Sequence, residues 1–141
     1  MEFLLQKNSS HIINVTSTTK GEGKSFVSYN LALSYKALGK KVILLGADLR
    51  NPQLHNRMGI LRPNRGLSTF LSDESFTDVE GLITQGRSPQ EMDYLLSGAI
   101  PPNPSELLMG PRMKELLEIL KELYEVIIVD KQLAAAASIT Q

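Results

Sequence analysis

The stretch Val15-Thr16-Ser17-Thr18-Thr19-Lys20-Gly21-Glu22-Gly23-Lys24-Ser25 combines two glycines, a lysine and a terminal hydroxyl, the residue types that together hold a string of phosphates. Gly21 and Gly23 let the backbone approach phosphate oxygens closely. Successive N–H groups then face one concavity, and a helix N-terminus behind them adds its positive end. Lys24 is a mobile point charge within reach of β- and γ-phosphates, and the Ser25 hydroxyl is a hard oxygen ligand suited to Mg²⁺. Thr18 stands where the usual motif has its first glycine, and the competing reading is an ordinary Gly-rich turn before a helix. Two acids extend the chemistry. Asp48 and Asp130 each follow an apolar run, and a carboxylate closing a strand downstream of such a loop is placed to hold or orient Mg²⁺. The competing reading of Asp48 is a loop aspartate that caps the next turn.

These residues need elements to position them. Ahead of the loop, residues 11–16 form a short β-branched run that predicts a buried strand. Behind it, residues 25–38 predict a helix apolar on most of its circumference, closed by Gly39. Residues 41–45 and 125–130 are continuous apolar runs, as expected of parallel strands covered on both faces. A shorter strand is expected over 92–96, a helical turn or two over 66–71, a helix over 78–84 with Thr77 as its N-cap, and a brief helix over 105–109. Ile100-Pro101-Pro102-Asn103-Pro104 predicts a rigid extended link. Pro111 opens a helix whose apolar face is Met113, Leu116, Leu117, Leu120, Leu123 and Tyr124, with charged residues on the other face. Residues 1–10 read as a lead-in resembling a helix end. The fold class expected is α/β, a parallel sheet flanked by helices in three α/β/α layers.

Composition narrows the function. The chain has 141 residues, consistent with one domain over 1–141 and a real core. Fifteen basic and fifteen acidic residues give no net charge, which argues against nucleic acid as a partner. There is no cysteine, so neither a disulfide nor a thiolate metal site is expected. No segment approaches the ~20 apolar residues of a membrane span, and the N-terminus lacks the layout of a secretory signal. A cytoplasmic setting fits these features.

Four stretches carry a closer resemblance. They are Ser17 to Ser25; Val42-Ile43-Leu44-Leu45-Gly46-Ala47-Asp48-Leu49-Arg50-Asn51-Pro52-Gln53-Leu54-His55; Pro101-Pro102-Asn103-Pro104-Ser105-Glu106-Leu107-Leu108; and Val126 to Asp130. Together they resemble the cytoplasmic domain of bacterial tyrosine autokinases of capsule and exopolysaccharide export, which are P-loop NTPases. The second and third stretches are the more specific.

The resemblance implies ATP and Mg²⁺ as ligands, with phosphoryl transfer to tyrosine hydroxyls. It places Thr19, Lys20, Gly21, Glu22, Gly23, Lys24, Ser25 and Phe26 on the nucleotide, Ser25, Asp48 and Asp130 on the metal, and Lys24, Asp48 and Asp130 in catalysis. Arg50 binds a phosphate or fixes the loop of its motif. The implied partner is a transmembrane polysaccharide co-polymerase-type activator or its cytoplasmic tail, with self-association a further expectation. The implied location is the cytoplasm, at the inner membrane face through that partner or through an N-terminal membrane region outside this chain.

The chain departs from the resembled pattern at Gly46, where the first of two acids is usual, and at Lys131-Gln132-Leu133 after the last motif. It also stops before the later strands and the tyrosine cluster of such domains, so the C-terminal part of the domain is expected to be absent. On that strand order the first strand sits beside an edge left exposed or covered by the tail around Ala134–Ala137. The competing functions are an ATP-binding regulatory module that transfers nothing, a partition-type ATPase of the same P-loop class, and a fragment inactive alone.

Overall fold

The computed structural model describes residues 3–7, 11–17, 23–49 and 52–131. Its centre is a five-stranded sheet in the order β1 (Phe3–Lys7), β2 (Ile12–Ser17), β5 (Val126–Asp130), β3 (Val42–Gly46), β4 (Asp93–Leu95). β2, β5, β3 and β4 run parallel, and β1 pairs antiparallel with β2. Residues 3–7 are therefore a strand rather than a helix end. β1 also occupies the edge of β2 that the sequence suggested a C-terminal tail would cover; Ala134–Ala137 lie outside the described residues.

The two faces of the sheet separate by the strand period of two. Ile43, Leu45, Ile127 and Val129 point to one core, and Val42, Leu44, Val126 and Ile128 to the other. On the first face lie α3 (Leu67–Ser72), α4 (Pro104–Leu108) and α5 (Pro111–Leu123), with Leu67, Phe70, Leu116 and Leu120 buried against the strands. On the second lie α1 (Gly23–Ala37) and α2 (Leu54–Met58), through Ala32, Leu54 and Met58. The three-layer α/β/α arrangement expected from the sequence is present. Every residue of β3 and β5 is buried, which accounts for their uninterrupted apolar sequences.

Two local expectations fail for identifiable reasons. The segment 78–84 forms only a 3-10 turn at Glu80–Leu82. The Asp78 carboxylate, not Thr77, accepts the Gly81 N–H at 3.0 Å. Thr84 then leaves in extended form and bridges antiparallel to Tyr94. The helix α1 is not buried all round: Phe26 is 51% exposed, and Leu38, expected in the helix, lies just past its end and is 72% exposed. The inward stripe instead carries Ser25, Ser28 and Ala32, all buried.

Close backbone approach fixes the exit of β4. The N–H groups of Leu67 and Ser68 donate to the carbonyls of Leu96 (2.8 Å) and Ser97 (2.9 Å), docking the head of α3 on the chain after β4. A Cβ on Gly66 would run into the Leu96 carbonyl and Gly98, and Gly98 itself sits at φ +79°. On the outer side, the Arg112 guanidinium donates to the carbonyls of Phe70 (3.1 Å), Asp73 (3.0 Å) and Phe76 (2.6 Å) and stacks on the Phe70 ring at 3.6 Å. One side chain of α5 thus holds the loop that follows α3.

Candidate nucleotide and metal site

The register of the central strands brings their carboxyl ends level. Val15 of β2 and Gly46 of β3 both stand opposite Asp130 of β5. Ligands of open α/β sheets bind just beyond such ends. The Ala47 N–H donates to the Asp130 carbonyl at 2.9 Å, and the Lys131 N–H to the Val15 carbonyl at 3.1 Å, so the ladder holds the backbone on both sides of the acid.

Asp130 is only 2% exposed. A buried carboxylate needs hydrogen bonds to offset its desolvation, and the first turns of α1 supply them. Ser25 Oγ donates to Asp130 Oδ2 at 3.2 Å and Ser28 Oγ to Asp130 Oδ1 at 3.1 Å. The two serines are three apart on the helix and so share a face. This stitches the head of α1 to the end of the central strand.

Asp48 lies on the loop after β3, half-buried. With Gly46, Pro52, His55, Ser97 and Asp130 it lines a cavity of about 10 Å³, room for about one water. Burial, and secondarily the charge of Arg62, lower the pKa of the His55 imidazole below its ordinary value and so favour its neutral form. Beside this cavity a second recess of about 180 Å³ is lined by Ser25, Gln53, Asn56 and Arg57.

The residues singled out in the sequence fall into four groups. Ser25 and Asp130 are in direct contact, and Asp48 shares a cavity with Asp130. Gly23 and Lys24 open α1, but nothing is described of the Lys24 side chain. Thr19, Lys20, Gly21, Glu22 and Arg50 lie outside the described residues. Phe26 begins its helix turn with its ring outward, 5.0 Å from the Arg57 guanidinium. Sequence reasoning missed Ser28; its signal was a polar residue one helical turn past Ser25 on an otherwise apolar inward stripe. It also missed Ser97 and the bearing of His55 on the site.

Among the described residues no three His, Asp or Glu side chains converge as a metal cluster. The donors present are a hydroxyl in contact with a carboxylate and a second carboxylate on the adjoining cavity. That sparse, all-oxygen set fits Mg²⁺, which takes few protein ligands and keeps several waters. At Gly46 a Cβ would make ordinary van der Waals contact with the Ser97 nitrogen at 3.4 Å and Leu54 at 3.5 Å, so the backbone has room for a side-chain carbon here and the sequence supplies no acid.

Comparison with known proteins gives four concordant findings. The ParA family model, described as NUBPL iron-transfer P-loop NTPase, matches residues 8–84. Tyrosine-protein kinase YwqD of Bacillus subtilis (strain 168) is 37% identical over 130 residues, 92% of this chain and 53% of that protein. Tyrosine-protein kinase etk of Escherichia coli (strain K12) is 35% identical over 130 residues, 92% of this chain and 17% of that protein. The solved kinase domain of Escherichia coli tyrosine kinase ETK superposes with a TM-score of 0.76 at 35% identity, covering 90% of this chain and 48% of that domain. The chain therefore spans about half of the solved domain and of YwqD, and a sixth of etk. No helix among the described residues is long and apolar enough to cross a membrane.

Proposed function

Because this chain belongs to the P-loop NTPases matched by the ParA family model, and is related in sequence and fold to the kinase domains of bacterial tyrosine kinases, we propose that it binds ATP with Mg²⁺ and carries the phosphoryl-transfer half of a tyrosine autokinase of capsule and exopolysaccharide synthesis and export. The observation that carries this reading is the Ser25–Asp130–Ser28 bridge, which fixes the head of α1 against the carboxyl end of the central strand.

Each residue has a role in the reading. Lys24 and the loop amides from Thr19 to Phe26 hold the phosphates, with Arg50 on a phosphate or fixing its own loop. Ser25 would ligate Mg²⁺, Asp130 would orient its waters, and Asp48 would stand near it. The metal, when bound, neutralises charge on the β- and γ-phosphates. The phenol oxygen of the acceptor forms a bond to the γ-phosphorus as the bond to the bridging oxygen breaks. That electron pair leaves with ADP, and the phenolic proton passes to the Asp48 carboxylate. Catalysis of this kind is mostly positioning and charge stabilisation, so a rigid carboxylate–hydroxyl bridge contributes by staying still. The chain has no cysteine, so the iron transfer in the family description finds no thiolate set in these residues.

The proposed partner is a transmembrane polysaccharide co-polymerase-type activator or its cytoplasmic tail, which would bring the chain to the inner membrane face, with self-association as a further proposal. Gly46 supports a second reading: with no further acid at this position, the site is an ATP-binding regulatory module that transfers nothing. Mg²⁺-ATP calorimetry on wild type and Lys24→Ala, followed by anti-phosphotyrosine detection, separates the two. Binding abolished in Lys24→Ala with phosphotyrosine formed by wild type supports the kinase. Binding without phosphotyrosine selects the module, and no binding by a folded wild type refutes both.

A further inference from the structure

The recess between α1 and α2 adjoins the small cavity that holds Asp48 and Asp130, and Gln53 lines both. It measures about 180 Å³ and reaches Ser25 at its inner end. It is also lined by Gln53, the residue before α2, and by Asn56 and Arg57 of α2. The Asn56 amide donates to the Gln53 Oε1 at 2.9 Å, which ties the two carboxamides together. The Arg57 guanidinium of the lining lies 5.0 Å from the centroid of the Phe26 ring. That ring is 51% exposed one residue after Ser25.

Position decides what fits here. Ser25 is the residue next to the terminal phosphates in the reading above, and the nucleobase sits at the far end of the triphosphate. A space that opens directly onto Ser25 is therefore beside the group being transferred and remote from the base. What occupies the space beside a transferable phosphoryl group is its acceptor. These surroundings suit a phenol: the planar cation of the lining and the Phe26 ring next to it take its ring by stacking and cation–π attraction, and the carboxamides hydrogen-bond its hydroxyl. The cation also favours acidic residues next to the acceptor in its own chain.

We propose that Phe26 and Arg57 form the acceptor subsite, a stacked pair that takes the tyrosine side chain of an acidic polypeptide and delivers its hydroxyl to the phosphoryl group beside Ser25. The proposal rests on the kinase reading for the identity of the acceptor, and its test is built on binding so that the two stand or fall separately.

The whole 141-residue chain is loaded with Mg²⁺ and the non-hydrolysable analogue AMP-PNP, and a fluorescent glutamate–tyrosine copolymer is titrated in by anisotropy. Arg57→Ala and Phe26→Leu are each expected to weaken copolymer binding about tenfold, the scale of one stacked cation–aromatic contact. Arg57→Ala should hold AMP-PNP within about twofold of wild type, since the base and phosphates lie elsewhere. A glutamate–alanine copolymer should bind wild type no better than it binds Phe26→Leu, which isolates the ring from the charge. Unchanged copolymer affinity in both variants, or no copolymer binding by wild type, overturns the subsite. So does loss of AMP-PNP affinity in Arg57→Ala, because the recess would then belong to the nucleotide. If the variants lose the copolymer as expected while wild type places no phosphate on it, the subsite stands and the kinase reading falls.

Discussion

Replacing Ser28 by alanine removes one of the two serine hydroxyls that hold the Asp130 carboxylate while leaving Ser25 in place. Ser28 is fully buried and Asp130 is 2% exposed, so water does not freely replace the lost donor. A hydrogen bond to a charged group is worth about 1.5–3 kcal/mol, and stranding a buried acceptor lies in the same range. Asp130 retains the bond from Ser25 and further interactions, which puts the expected loss at the low end, about 1.5–2 kcal/mol. For a chain of this length that is a fall of about 5–7 °C in melting temperature. Thermal melts and urea titrations followed by circular dichroism read it directly.

The same carboxylate is shared with Ser25, so the two serines should not act independently. Ser25→Ala is expected to lose Mg²⁺-ATP affinity out of proportion to its stability loss. The Ser25→Ala/Ser28→Ala pair should deviate from additivity by at least about 0.5 kcal/mol. A Ser28→Ala protein within about 0.5 kcal/mol of wild type, or a double variant that is strictly additive, would refute the claim that the bridge is one unit.

Two more perturbations test other joints. Arg112→Lys keeps the charge but not the planar fork, and Arg112 is 11% exposed, so the loss of its bonds to three carbonyls should destabilise the chain by about 2 kcal/mol in urea titrations. An unchanged midpoint would show that stem packing alone matters. Tyr124 donates to Asp93 at 2.7 Å, and its phenol pKa is pushed well above the ordinary value of 10.0, by burial first and then by the bond to Asp93 and its charge. A pKa raised in the folded state gives stability that is whole below the ordinary value and is lost as pH climbs through it toward the folded one. Stability should therefore decline above pH 10. Tyr124→Phe should flatten that decline while destabilising the neutral protein by about 1 kcal/mol; an identical alkaline slope in the variant would sink the assignment.

What the sequence made legible follows a physical division. β3, β5 and α5 were plain because their patterns come from burial: continuous apolar runs for strands covered on both faces, and the spacing of Leu116 and Leu120 for a helix on one face. Ser25, Asp48 and Asp130 were plain because loop chemistry and strand ends bracket them. The strand β1 was hidden because Phe3-Leu4-Leu5-Gln6-Lys7 has no β-branched residue; pairing with β2 overrides its weak local preference. The helix over 78–84 failed for the same kind of reason, since Thr84 is drawn into a bridge with Tyr94. Ser28 escaped notice because a polar break in an inward helical stripe is a faint local sign; the distant carboxylate gives it a purpose. The Phe26–Arg57 stack was equally invisible, being a contact between two helices that share no sequence pattern.

The placement of β5 carries a consequence for how the chain comes to be ordered at all. Ile12 pairs with Ile127 and Val42 with Val126, so the strand at the middle of the sheet is the last described element to leave the ribosome. Until it arrives, β2 and β3 have no common neighbour and the head of α1 has no carboxylate to meet. Contacts between such distant parts of a chain form late and slowly, because the closure entropy must be met before they give anything back. Assembly of the sheet and assembly of the site are thus a single event, completed by the same five residues that end in Asp130.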